Sequence, residues 1–159
     1  MKIKLVESTP DDAEILICMI NKLAEIDGVG SVPVGKEQLF ANIYSDSPVA
    51  FAKLIIYDEK VAGFIIHSWK FATFLGTRDM YMQATYIEPE FRRRGVATKV
   101  LGKLAKLALD SGCSRMEWYA IEGNNMSGGF YDALGACTLS DARVRRFSTE
   151  VLVKLSEID

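Results

Sequence analysis

The sequence predicts an α+β fold, with a mixed, mostly antiparallel sheet layered α/β/α between helices. Three observations predict it. Apolar residues at helical spacing mark helices near the start and a longer one past the middle. Between them lie two stretches rich in aromatic and β-branched residues, split by a polar turn, which read as a hairpin. After the long helix comes a further strand, and a strand reached through a helical crossover pairs in parallel.

Residues 2–6 predict a short edge strand. Thr9-Pro10-Asp11-Asp12 follows, with Thr9 as N-cap, Pro10 at the first helical position and Asp12 closing a capping box. Ile15, Leu16, Met19, Ile20 and Leu23 then form one apolar helical face, which Gly28 and Gly30 end. Residues 27–35 are a loop, and residues 36–44 a second short helix through Leu39, Phe40 and Ile43. Residues 49–57 and 61–71 make the hairpin around Asp58-Glu59-Lys60. Gly76-Thr77-Arg78-Asp79 turns into a third strand, 80–87, and the long helix runs on to a stop at Ser111-Gly112. Residues 115–121 are the parallel strand, and 122–127 a polar loop. A short helix lies around 130–134, ended by Gly135. A strand near 143–147, with Arg143, Arg145 and Arg146 facing solvent, and a helix opened by Ser148 finish the chain.

Length and composition fit one domain over residues 1–159, with 49% hydrophobic and 25% charged residues. A net charge of −2 lacks the basic excess of a nucleic-acid binder. No stretch approaches a membrane span, and the opening residues lack the pattern of a signal peptide. Cys18, Cys113 and Cys137 each sit among apolar residues, which predicts three buried thiols and a reducing, cytoplasmic setting. One histidine, His67, and no Cys-x-x-Cys leave a metal site without support, and His67 reads as a packed strand residue. There is no G-x-x-x-x-G-K-[ST], which excludes a P-loop nucleotide enzyme.

The informative stretch is the third strand, its turn and the long helix. The first amides of a helix have no intrahelical partner, and the peptide dipoles sum to a partial positive charge there. Arg92, Arg93 and Arg94 stand at the same place, and Gly95 and Ala97 leave room for close approach. Strand, turn and helix start together predict a site for the pyrophosphate of a nucleotide-type cofactor.

Arg92-Arg93-Arg94-Gly95-Val96-Ala97-Thr98, preceded by Glu88-Pro89-Glu90-Phe91 and followed by Asn124, Phe130-Tyr131 and Leu134-Gly135-Ala136, resembles the GCN5-related N-acetyltransferase family. The resemblance covers nearly the whole chain. Residues 109–117 and Leu23-Ala24-Glu25-Ile26-Asp27 are similar to its diamine and polyamine acetyltransferases and their thialysine-acetylating relatives. It implies that family's fold, with the central parallel strands splayed around acetyl-CoA. It also implies an acetyl-CoA-dependent N-acetyltransferase, commonly a homodimer, acting on a small-molecule primary amine. Within the same chemistry the acceptor could instead be an amino-acid or protein amine; outside it stands an acyl-CoA-binding domain without turnover.

By resemblance, the backbone from Arg92 to Thr98 holds the pyrophosphate, and Thr85, Tyr86 and Ile87 pair with the pantetheine arm as an added strand does. Asn124 holds the pantetheine portion or its loop, and Ser127 caps the short helix. Tyr131, at the start of that helix, is the general acid for the departing thiolate, since a phenol near pKa 10 can give up a proton. Ile26, Asp27, Gln83 and Glu117 are the expected acceptor-binding residues. Gln83 and Ala84 stand where the polyamine branch carries acidic residues, so deprotonation falls to water, to Glu117 or Glu122, or to binding of the neutral amine. Gly128-Gly129 is expected to loosen the start of the short helix.

Overall fold

The computed structural model describes residues 2–120 and 125–158. Five strands, β1 (Ile3–Glu7), β2 (Phe51–Tyr57), β3 (Lys60–Ala72), β4 (Thr77–Ile87) and β5 (Cys113–Glu117), form one sheet in the order β1-β2-β3-β4-β5. The first four are antiparallel to their neighbours, and β5 runs parallel to β4. The helices are α1 (Ala13–Ile26), α2 (Lys36–Asn42), α3 (Val96–Asp110), α4 (Asn125–Ala133) and α5 (Thr149–Ser156). The described chain divides into two compact units, Met1–Tyr119 and Ala120–Asp159. The sheet and α1–α3 belong to the first, α4 and α5 to the second.

The local chemistry behind these elements is mostly what the residues foretold. Before α1, Pro10–Asp12 forms a 3₁₀ turn, and the Asp12 carboxylate accepts the Thr9 amide at 2.7 Å. The β2–β3 turn is tighter than expected. Asp58 (φ 43°) and Glu59 (φ 69°) are both left-handed, as a two-residue type I′ hairpin requires, and Lys60 joins the strand. Ser148 caps α5 through its hydroxyl, which accepts the Val151 amide at 3.4 Å.

Each face of the sheet carries helices. On one, Leu16 and Met19 of α1 and Leu39 of α2 pack with Leu54, Phe64 and Tyr86. On the other, α3 buries Val96, Val100, Leu104 and Ala108, a four-residue repeat along one stripe. Ile55 and Ile65 point to that side, alternating with Leu54 and Phe64.

Three expectations are corrected. Residues 143–147 are not a strand; they are exposed, and no strand among the described residues offers them a ladder. The strand expected at 115–121 instead spans Cys113–Glu117. Of the cysteines only Cys113 is buried. Cys18 lies between Ile17 and Met19, but about 100° per residue turns it outward while Leu16 and Met19 face the core, and Cys137 is exposed past the end of α4.

Candidate active site

The site is built on β4, and it starts from a miscount between strands. Ile66 pairs with Ala84, but the next residue of β3, His67, pairs with Met82. Gln83 is therefore the extra residue of a β-bulge. Its Nε2 donates to Ser68 Oγ at 3.2 Å, on the face of the sheet that carries α1 and α2. Gln83 and Ala84, consecutive residues, thus look toward the same side. There they form the floor of a pocket of about 290 Å³, walled by Ile20 and Leu23 of α1, Leu39 and Ile43 around α2, and Phe64 and Ile66 of β3. Gln38 and Asn42 of α2 also line it. The Gln38 Oε1 accepts the Gly35 amide at 3.0 Å, and Asn42 Nδ2 donates back to the Gln38 carbonyl at 2.9 Å.

Beside the bulge the sheet opens. β5 pairs with β4 only from Arg78 to Tyr81. From Met82 to Ile87, β4 has β3 on one side and, among the described residues, no strand on the other. Backbone donors and acceptors along that edge are free to pair with an extended ligand. Thr85 Oγ1 is buried there without a hydrogen-bond partner among the described residues.

The end of β4 leads straight into the basic turn. Pro89–Phe91 forms a 3₁₀ turn, Arg93 is left-handed at φ 56°, and Gly95, the N-cap of α3, is left-handed at φ 71°. The first intrahelical bond is Lys99 N–H to Gly95 O at 3.2 Å, and no side chain caps the helix. The amides of Val96, Ala97 and Thr98 therefore point out of the helix end unused. A Cβ on Gly95 would meet nothing within 4 Å, so the space before these amides is open. Val96 buries its side chain, 2% exposed, and can offer only its backbone. The first turn carries no acidic residue to compete for the amides.

A small network ties this turn to α1. Lys22 Nζ donates to Glu88 Oε1 at 2.7 Å, and Tyr86 OH donates to Glu88 Oε2 at 2.9 Å. Arg92 Nε donates to the Ile87 carbonyl at 2.7 Å, and its guanidinium lies 5.6 Å from the centre of the Tyr86 ring. Burial works against ionisation of Glu88, yet hydrogen bonds from Lys22 and Tyr86 outweigh it and hold the carboxyl below its usual range. Arg92 is thus bound to the strand end, whereas Arg93 and Arg94 are exposed on the turn.

The other expected residues are scattered. Glu117 sits opposite Tyr81 at the last β4–β5 pair, in an ion pair with Lys70 and 4.0 Å from Arg115, away from the pocket wall. Ile26 and Asp27 end α1; Asp27 donates its amide to Leu23 O at 2.9 Å and neither residue lines the pocket. Tyr131 is the seventh residue of α4, not its first, because the helix begins at Asn125 and runs through Gly128 and Gly129. Its ring packs on Phe130 at 5.2 Å, and burial pushes its phenol above the usual value. Asn124, Glu122 and the side chain of Ser127 lie outside the described residues.

Two groups here escaped the sequence reading. Gln38 and Asn42 were part of a helix with no assigned role. Tyr81 stands where β4 and β5 part, against Tyr119 at 5.2 Å, and burial together with Tyr119 pushes its phenol up to about 12. No local signal marks either, since each depends on which strands and helices meet.

Comparison with known proteins bears on the same residues. Residues 19–136 match the family model described as the acetyltransferase (GNAT) family. The chain is 35% identical over 138 residues to a thialysine N-epsilon-acetyltransferase of Caenorhabditis elegans, covering 86% of this chain and 84% of that one. It is 27% identical over 162 residues to the Bos taurus protein of the same name, covering 94% and 95%. Among solved structures, an integron cassette protein from the mobile metagenome of V. cholerae superposes with a TM-score of 0.82 over 99% of both chains, at 21% identity. That last likeness speaks for the fold alone.

Proposed function

The chain belongs to the acetyltransferase (GNAT) family, and from that premise we propose that it transfers the acetyl group of acetyl-CoA to the primary amine of a small molecule. The observation that carries the reading is the stretch Met82–Ile87. It offers a pocket on one face, an unpaired edge at its side and a helix amino-terminus directly beyond its end. The relatives named for thialysine acetylation support a small amine as acceptor.

The residues fit the cofactor. The amides of Val96, Ala97 and Thr98, with Arg93 and Arg94 beside them, would hold its pyrophosphate, and the open Gly95 leaves the approach clear. Thr85, Tyr86 and Ile87 would pair with its pantetheine arm along the free edge. Acetyl-CoA, when bound, supplies an acetyl thioester ready for attack by an amine. Gln83 Oε1, left over from the Ser68 bond, would accept a hydrogen bond from the amine and orient it. Among the described residues no carboxylate lines the pocket, so an ammonium ion would be disfavoured there and the amine would give its proton to water on the way in. Tyr131 would hand its phenolic proton to the departing sulfur and recover, through water, the proton that the attacking nitrogen loses on acylation; a raised pKa keeps the phenol protonated at neutral pH. A single acetyltransferase domain over residues 1–159, working as a cytoplasmic homodimer, belongs to the same proposal.

The test is thiol release from acetyl-CoA across a panel of primary amines, with Tyr131→Phe beside the wild type. Expected are thiol and acetylated amine in equal amounts. The variant should turn over at least about tenfold more slowly with acetyl-CoA affinity kept. If the protein binds acetyl-CoA but no amine releases thiol, the transfer reading falls and a binding module replaces it.

A further inference from the structure

The face of the sheet that holds the acceptor pocket carries a charged pair one step beyond it. Gln83 Nε2 donates to Ser68 Oγ at 3.2 Å. Ser68 and Lys70 are two residues apart in β3, where pairing with β4 runs without a shift from His67 to Ala72. Their side chains therefore share this face, about 7 Å apart along the strand. Lys70 reaches across β4 to Glu117 of β5 and forms an ion pair with it. Tyr81 of β4 lies between, opposite both Ser68 and Glu117. Lys70 keeps 47% of its side chain exposed and Glu117 28%, so both charges are open to a ligand. An exposed pair of this kind adds little to stability and separates easily. The neighbouring Asp79 is different: it is fully buried and held by Arg115 at 2.7 Å.

We infer that Lys70 and Glu117 bind the far end of the acceptor, and that this end carries an ammonium and a carboxylate on one carbon. The acceptor is then an α-amino acid whose side chain ends in the reacting amine. The inference rests on the transfer reading and deepens it. With the side-chain amine at Gln83, the α-carbon stands over Tyr81, within reach of the pair. The α-carboxylate takes the Lys70 ammonium, and the α-ammonium takes the Glu117 carboxylate. Two ion pairs replace one, and each charge keeps a partner. A diamine satisfies Glu117 but sets a like charge beside Lys70. A chain with only the carboxylate satisfies Lys70 but sets a like charge beside Glu117. Either truncated acceptor meets one attraction and one repulsion, so the pair selects by charge pattern.

The experiment compares lysine and ornithine with 1,5-diaminopentane and 1,4-diaminobutane, which lack only the carboxylate, and with 6-aminohexanoate, which lacks only the α-amine of lysine. It uses thiol release and, separately, calorimetric binding to the protein saturated with coenzyme A. The better amino acid is expected to exceed every truncated acceptor by roughly tenfold or more in kcat/KM and in affinity, after correction for the two equivalent amines of the diamines. Lys70→Met should cost that amino acid at least about tenfold and the diamines far less, and Lys70→Arg should keep the preference. A diamine or 6-aminohexanoate equal to the amino acids would overturn the inference. So would a loss in Lys70→Met shared equally by all acceptors, or no measurable binding of any. An amino-acid preference in binding with no thiol released from any amine would sustain it and defeat the transfer reading instead.

Discussion

Gly63→Ala should damage the protein, and the contacts of the added methyl group set the scale. Gly63 lies in β3 opposite Ile87. A Cβ there would stand 2.0 Å from the Tyr86 carbonyl oxygen and 3.0 Å from Ile87 Cα. Ordinary contact begins near 3.4 Å, so one strand must yield by more than an ångström, and what yields is backbone. Overpacking of that kind costs about 1–3 kcal/mol, and a broken ladder bond adds about 1 more. We expect a loss near 3 kcal/mol, or roughly 6–12 °C in Tm for a chain of this size. The displaced residues are those whose edge would meet the pantetheine arm, so acetyl-CoA affinity should fall as well. Gly102→Ala is the control: it adds a methyl to the exposed side of α3, where nothing lies within 4 Å, and should stabilise by about 0.5–1 kcal/mol. Thermal unfolding by circular dichroism, with a cofactor titration, reads all three proteins. Gly63→Ala melting within 2 °C of the wild type would refute the reasoning.

Ala97→Glu puts a carboxylate beside the free amides of α3 and should weaken acetyl-CoA binding by at least about a hundredfold with Tm little changed; calorimetry showing undiminished affinity would count against the cradle. His67, 2% exposed, has both ring nitrogens without a partner among the described residues. Burial, with Lys53 nearby, lowers its pKa to about 4. A folded pKa below the free value of about 6.5 means stability that is full above that value and is lost as pH falls toward 4, up to about 3 kcal/mol. Urea midpoints at pH 7.5 and 4.5 should therefore diverge more for the wild type than for His67→Phe, and equal shifts in both would refute the assignment. Asp79 is fully buried and held at 2.7 Å by a half-exposed Arg115, so Arg115→Met should lower the urea midpoint by leaving that carboxyl without its partner, with an unchanged midpoint counting against a structural role for the pair.

The elements were legible where one residue's chemistry decides them. Thr9 and Asp12, the apolar stripe of α3 and the strand–turn–helix around Arg92–Ala97 each carry a local signal, and each forms as read. Residues 143–147 have strand-like alternation, but a strand exists only with a partner, and alternation cannot say whether an edge is available. The same limit applies to β5. It stops at Glu117 although the sequence stays aromatic through Trp118 and Tyr119, and the free edge of β4 follows from that early stop. Tyr131 was placed at a helix start by resemblance, with Gly128 and Gly129 expected to loosen that start; the helix runs through both and begins six residues before it.

The bulge is the clearest case of what alternation hides. Met80, Met82, Ala84 and Tyr86 read in sequence as one apolar face of a regular strand. In the fold they are divided. Met82 pairs with His67 and Met80 with Trp69, whereas Ala84 pairs with Ile66 and Tyr86 with Phe64, whose side chains lie on the opposite face. One inserted residue, Gln83, reverses the pattern partway along the strand. In a regular ladder through the same residues, Gln83 would pair with His67 and face away from α1 and α2, and Met82 would turn to the pocket floor. A long thioether there would close much of the space, and no carboxamide would remain to meet an amine. The inserted residue therefore does three things at once. It opens the floor, sets an uncharged hydrogen-bonding group on it, and does so in the stretch of β4 where pairing with β5 has already ended. Deleting Gln83 should restore a regular ladder and abolish acceptor binding while leaving the helix start at Val96 able to hold acetyl-CoA.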